Sequence, residues 1–216
     1  MRSFRWWNIF LLVPVLFAVV MFFGTIPYFK FDIREGFLGT KTFKVVNEPT
    51  FLLAFYIHIS SSLIVWVCAI PQIIPLFIRR FELFHQITGK IYVYLLLLLA
   101  APSGLVLAQF ANGGLSAKIG FTLQSLLWWF VTFRAFWAIK NRDIQAHLKW
   151  IWRSIAITYA ALALRSESFL MIHLFGTRPI ETYLSVVWLS WVGNLLLIEI
   201  LFFFGFEKFY LNSIRK

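Results

Sequence analysis

The sequence predicts an all-α polytopic membrane protein, a bundle of six transmembrane helices that makes the 216 residues one membrane domain. Two features of composition and one pattern carry that prediction. The chain is 61% hydrophobic and 20% aromatic but only 13% charged, where a soluble domain carries about 25% charged residues. Its mean hydropathy of +0.80 cannot be hidden behind a water-facing surface. The apolar residues also fall into six runs, each holding the ~20 residues that a helix needs to cross a bilayer. These runs are too long for barrel strands and lack period-2 alternation, so helices are expected.

The first run covers 7–29. Arg2 and Arg5 precede it, as in a signal peptide, but it exceeds a signal core of ~7–15 residues and no small-x-small site follows. It is expected to be a retained span. The charged loop 30–49, with Gly36 and Gly39, is the one loop long enough to fold over the bundle. Further runs cover 50–78, 88–110, 119–139, 150–173 and 182–206. Pro14, Pro71, Pro75 and Pro102 are tolerable inside membrane helices. Pro71 and Pro75 should kink the inner end of the second span.

Six spans put both termini on one side. That side and its two linkers carry 13 Lys and Arg residues, the other side 6. The positive-inside bias makes both termini cytoplasmic. Trp6, Trp7, Trp137, Trp150 and Trp152 fall at the same boundary, as an aromatic belt does. The net charge of +11 comes from short basic clusters beside apolar runs. It fits contact with anionic lipid at the cytoplasmic face and not nucleic acid, since no basic domain lies outside the spans. Cys68 is alone, so no disulfide forms within the chain.

The cytoplasmic linkers share a pattern. Arg80 precedes His85 as Arg142 precedes His147, with four residues between in each case, and each linker holds an acid, Glu82 or Asp143. This suggests a parallel repeat of 50–110 and 119–173 about an axis along the membrane normal. His85 and His147 would then face each other at equal depth. Paired imidazoles on neighbouring helices are what a bis-histidine haem b, or a metal ion, requires. His85, Gly89 and Tyr92 share one helical face, and Gly89 would let a flat macrocycle or a second helix approach. Gln72, Trp150 and Arg153 complete this candidate inner site, with Arg153 pointing away from the Trp150 face. The alternative is that both histidines are helix-end residues meeting water, lipid phosphate or a carbonyl.

A second group is buried. His58, Ser61, Ser62, Val65, Ala69 and Gln72 form a stripe close to one helical face. Arg165 lies eighteen residues after His147, five turns of a straight helix. His147, Trp150, Ser154, Ala161 and Arg165 would therefore form one column. An unpaired ion inside a span costs several kcal/mol, so Arg165 must face the bundle, with His58 and Glu167 as candidate partners in a buried polar network. Glu167 sits two residues away from Arg165 and points elsewhere on the helix. The alternative is a structural ion pair. Glu199 could snorkel toward Lys208, and His173 reads as a solvated helix end.

The motif His85-x-x-x-Gly89-Lys90-x-Tyr92, then His147-x-x-Trp150-x-x-Arg153, then Arg165, resembles a family of bacterial multi-pass membrane proteins catalogued as domain of unknown function 2306. The likeness covers Phe55 to Arg165. The family usually shows His-Arg where this chain has His85-Gln86, and often Trp-Met-Ile-Arg where it has Trp150-Ile151-Trp152-Arg153. The resemblance implies a bundle in the bacterial inner membrane and supplies no activity. A looser likeness to two-haem b-type membrane cytochromes fails on spacing, because His147 and His173 are 26 residues apart, about 39 Å along a helix.

No Gly-rich phosphate loop, Cys cluster or metalloprotease histidine pair is present. Three functions stay open: a haem- or quinone-linked redox module at His85 and His147 with an electron-transfer partner, a proton-coupled transporter of a small molecule using Arg165, Glu167 and His58, and a non-catalytic structural or assembly subunit.

Overall fold

The computed structural model describes the backbone of residues 3–215 and the side chains of residues 13–214. Arg2 and Lys216, and the side chains of Arg5, Trp6, Trp7 and Arg215, lie outside the described residues, so the tryptophan belt and the charge count are not tested there.

Among the described residues the fold is helical throughout. Helix α1 (Ser3–Thr25) runs into a 3₁₀ turn, Ile26–Lys30. A strap follows, containing the 3₁₀ turn Leu38–Thr40 and the one-turn helix α2 (Phe43–Val46). Helix α3 (Pro49–Ala69) continues through a 3₁₀ turn, Ile70–Gln72. The short helix α4 (Pro75–Arg80) leads into α5 (Glu82–Leu95), a π turn (Leu96–Ala100) and α6 (Ala101–Ala108). Then come α7 (Gly114–Lys140), α8 (Ile144–Thr158), α9 (Ala160–Phe175), α10 (Pro179–Phe203) and α11 (Phe206–Arg215).

Four segments are long and apolar enough to cross a membrane: Val13–Lys30, Pro49–Gln72, Glu82–Ala108 and Pro179–Phe203. The pair α8 and α9, bent by 44° at Tyr159, makes a fifth if it is one span. Helix α7 has the length, 27 residues, but is not apolar enough to pass the same test. Lys118, Gln124 and Arg134 dilute it.

Three departures from the expected runs bear on the site. The second span ends at Gln72 instead of residue 78. Ile74 is extended (ψ 112°) ahead of Pro75, because a residue before proline is forced out of the helical region. Pro75 then opens α4 at the first helical position, where its missing N–H costs nothing. The third span begins at Glu82 instead of residue 88, so His85 sits inside a helix. The expected straight fifth span is broken at Tyr159, where neither Gly nor Pro occurs. There Asn194 of α10 donates its side-chain N–H to the Ala156 carbonyl at 3.0 Å. That carbonyl belongs to the helical ladder, and a side chain entering the ladder bends a helix.

The α7–α8 hairpin closes tightly. Arg142 takes a left-handed φ of 60°, and Asp143 caps α8 by accepting the Ala146 N–H at 2.9 Å. The linker before His85 instead contains a whole helix, α4, and Phe81 offers no side-chain cap. The larger cluster of buried apolar side chains surrounds Tyr92, Leu96, Val131 and Ile155. A smaller cluster sits under the strap, where Leu38, at 0% exposure, packs on Phe51 and Phe55. At the opposite end α11 lies against the bundle. Its Tyr210 packs on Trp152 and donates to the Gln72 carbonyl at 3.4 Å, and Glu207 pairs with Lys149 at 2.6 Å.

Candidate functional site

At the end covered by α11, His147 donates from Nδ1 to the Ala135 carbonyl of α7 at 2.9 Å. That bond fixes the imidazole and leaves Nε2 free. His85 lies within electrostatic reach of His147. Its Nδ1 is buried and makes no hydrogen bond; the Pro71 carbonyl is near without meeting bonding geometry. The two histidines are therefore brought to one end of the bundle. Gln72 is tied to the His85 turn, donating to Thr88 Oγ1 at 2.9 Å and to the His85 carbonyl at 3.3 Å. The open space expected beside Gly89 is filled by Gln72: a Cβ on Gly89 would lie 3.0 Å from Gln72 Oε1. Gly89 thus makes room for a side chain that ties α3 to α5.

The other residues of the expected inner site turn elsewhere. Trp150 carries two guanidinium groups over its ring, Arg134 at 5.0 Å and Arg153 at 4.7 Å. Arg153 makes a two-pronged pair with Glu199 of α10, with Nη2 to Oε2 at 3.0 Å. Glu199 therefore pairs with Arg153 and not with Lys208. Tyr92 is fully buried and points into the bundle core. Its hydroxyl meets Ser154 Oγ at 2.6 Å and Thr158 Oγ1 at 2.8 Å. Thr132 Oγ1 joins Ser154 at 2.6 Å, and Trp128 donates to Thr158 Oγ1 at 3.0 Å. This closed hydroxyl circuit ties α5, α7 and α8 together. Satisfied networks of this kind specify a unique packing.

An opening lies in the strap-covered half. It is a cavity of about 620 Å³ between α1, α3, α6, α7, α9 and the strap, within the range of about 300–1,000 Å³ usual for small-molecule sites. Its walls are mostly apolar and aromatic, and His58 and Arg165 both line it. His58 donates from Nδ1 to the Ala100 carbonyl at 2.9 Å, so Nε2 is left with only a long contact, 3.5 Å, to Ser62 Oγ. The π turn is the local cause. Pro102 has no N–H to give, so the ladder is already disturbed there, and Trp129 takes the Leu97 carbonyl at 3.1 Å. Gly104 supplies the room. A Cβ there would sit 3.1 Å from His58 Cε1 and 3.2 Å from Ser125 Oγ.

Of the predicted buried network, the cavity unites His58 with Arg165, but His58 is half-buried and Arg165 exposed, because both open onto the cavity instead of packing on a partner. Glu167 does not line it; it is half-buried, with Oε2 unpartnered. The column from His147 to Arg165 is interrupted by the Tyr159 bend. Ser154 ends in the hydroxyl circuit, while Ala161 and Arg165 reach the cavity. Arg165 donates from Nη1 to the Ala161 carbonyl at 2.8 Å. His173 is exposed and bonds back to the Phe169 carbonyl at 2.8 Å, as a helix end does.

Sequence reasoning missed Tyr28, Lys41, Trp66 and Gln124, which also line the cavity. Lys41 donates to the Phe110 carbonyl at 2.8 Å and to Asn112 Oδ1 at 3.1 Å, and lies 4.6 Å above the Phe37 ring. Burial in the strap lowers its ammonium pKa to about 8. Trp66 Nε1 and Gln124 Oε1 are buried without partners. One signal could have pointed here: Gly104 within an apolar run marks a close approach. Among the described residues no group of three or more His, Cys, Asp or Glu side chains could hold a metal ion.

Compared with known protein families, residues 55–202 match the model described as "Predicted membrane protein (DUF2306)". No curated protein and no solved structure matches the chain.

Proposed function

We propose that this chain, which belongs to the predicted membrane protein family DUF2306, is a carrier in the bacterial inner membrane that takes a small molecule into the cavity lined by His58 and Arg165. The observation that carries this reading is the cavity: a guanidinium and an imidazole face one largely apolar space inside the bundle. A guanidinium inside a span is costly unless it faces a partner or a polar space, and Arg165 is exposed along the cavity wall. Such a cost is met where the group has a use, and intramembrane ionisable residues mark substrate and proton paths. His58, with Nε2 free of a short bond, is the group positioned to exchange a proton with the cargo.

The membrane arrangement is part of the proposal. Helix α7 is a sixth span despite its modest hydropathy. Its exposed face is an apolar stripe, Ile119, Leu123, Leu126, Phe130, Phe133 and Trp137, and its polar Ser125 and Thr132 are turned inward and buried. With six spans the basic linkers and both termini are cytoplasmic, α11 lies at the cytoplasmic face, and the strap faces the periplasm.

Alternating exposure of the cavity tests the proposal. In a Cys68→Ala background, Ser62→Cys places a thiol on the cavity wall. A membrane-impermeant maleimide should label it from the periplasmic side in spheroplasts and from the cytoplasmic side in inverted vesicles. Labelling from one side only, or from neither, would sink the carrier reading and favour a structural subunit.

One observation favours a second reading. His147 is oriented by the Ala135 carbonyl with Nε2 free, the arrangement a metal-binding histidine adopts, and His85 is near. Two histidines suit the axial positions of haem b better than a bare ion, but Gln72 occupies the space beside Gly89 and would have to move. A Soret band on purified protein, lost in His85→Ala and in His147→Ala, would support this redox reading; a colourless protein would end it.

A further inference from the structure

We infer that the cargo of this cavity is an organic monoanion with an apolar body, a medium-chain carboxylate being its simplest form, whose head lies between Arg165 and Lys41. The inference rests on the carrier reading and adds the class of cargo to it.

Charge carries the argument. Arg165 and Lys41 both line the cavity, and no Asp or Glu lines it. The ion pairs among the described residues are Lys149 with Glu207 and Arg153 with Glu199, and neither touches it. Two cations therefore face one apolar space without a counter-ion. Arg165 is exposed and Lys41 half-buried on that wall, so both charges stand open to whatever fills the cavity, and an anion is the partner that complements them.

Hydrogen-bonding capacity agrees. A guanidinium has five N–H donors and an ammonium three. Arg165 uses one, on the Ala161 carbonyl, and Lys41 uses two, on Phe110 and Asn112. Tyr28 lies within electrostatic reach of Arg165 and bridges toward Lys41. Its hydroxyl accepts the Phe37 N–H at 2.9 Å, and Lys41 lies over the Phe37 ring. The Tyr28 hydroxyl proton is thus free to donate. Arg165, Tyr28 and Lys41 together offer unused donors and no negative charge, which suits a carboxylate.

The rest of the wall accounts for the body. Phe51, Phe55, Leu107, Phe121 and Leu164 line the same space. Alkyl groups gain about fourfold in affinity for each methylene buried, so affinity should climb with chain length until the cavity is full. A small inorganic anion would leave these walls uncovered.

The test uses the whole chain in zwitterionic nanodiscs, with octanoate, octanol and octylamine titrated calorimetrically at pH 7 and empty nanodiscs subtracted. Octanoate should bind saturably, at least tenfold tighter than the neutral or cationic analogue, and tighter than butanoate. Arg165→Gln should weaken octanoate at least tenfold while leaving octanol unchanged. If that variant does not fold, Lys41→Met, in the strap, should reproduce the selective loss. Equal saturable binding of all three probes would overturn the anion assignment while leaving the carrier reading intact. Bilayer partitioning alone, with no saturable binding of any probe, would overturn both.

Discussion

Asn194 donates its side-chain N–H to the Ala156 carbonyl at 3.0 Å across the α8–α10 interface, one turn before the 44° bend between α8 and α9. The bend is what lets α8 carry Ser154 and Thr158 into the hydroxyl circuit while α9 carries Arg165 along the cavity. Replacing Asn194 with Leu should return the Ala156 carbonyl to the helical ladder and straighten the pair. Spin labels on Gln145 and Ser168 should then move apart by double electron–electron resonance. An unchanged distance would place the cause of the bend elsewhere.

Gly104→Ala should destabilise the protein by about 1–3 kcal/mol, the usual cost of overpacking. The new Cβ would lie 3.1 Å from His58 Cε1 and 3.2 Å from Ser125 Oγ, so both side chains must give by a few tenths of an ångström against their own hydrogen bonds. The thermal midpoint in detergent measures this. Gly24→Ala is the control, since a Cβ there meets nothing within 4 Å.

Tyr92→Phe should cost about 1–3 kcal/mol, because Ser154 and Thr158 lose a buried hydroxyl partner. Ser154→Ala in the Tyr92→Phe background should cost less than it does alone. That coupling is the mark of a shared network, and strict additivity of the two losses would contradict it.

Lys41 gives the protein a pH dependence of defined sign. Burial lowers its folded pKa to about 8, against 10.5 in the unfolded chain. Between these values the unfolded chain binds more protons, so stability rises as pH increases from about 8 toward 10.5. The Lys41→Met midpoint should lack that rise. Octanoate affinity should run the other way, falling above pH 8 as the free ammonium is lost, and Lys41→Met should flatten this fall as well. A parallel fall in the variant would assign the titration to another group.

Length and hydropathy sufficed to read the helices because a bilayer demands long apolar runs and allows little else. They did not reveal α11. It is a short amphipathic helix whose Tyr210 and Glu207 find partners only on the folded bundle. The break at Tyr159 was equally hidden, since it comes from Asn194, 35 residues further on. Arg165 and His58 stood out as polar groups in apolar runs. Lys41 did not: it looks like any loop cation until the strap folds over. Gly89 was noticed for the right physical reason, the room a glycine leaves, but the sequence does not say that Gln72 takes that room.

The strap also bears on timing. Leu38 is fully buried on Phe51 and Phe55, and those two rings are part of the cavity wall. On the carrier proposal, a cargo that leaves beneath the strap would displace Leu38, which exposes a side chain whose burial is worth about 1.5–3 kcal/mol. That penalty slows escape by about 10- to 150-fold without altering how tightly the head is held. Leu38 is in this sense a clock: trimming it to alanine should shorten the dwell of a bound molecule on both entry and exit and leave the equilibrium almost where it was.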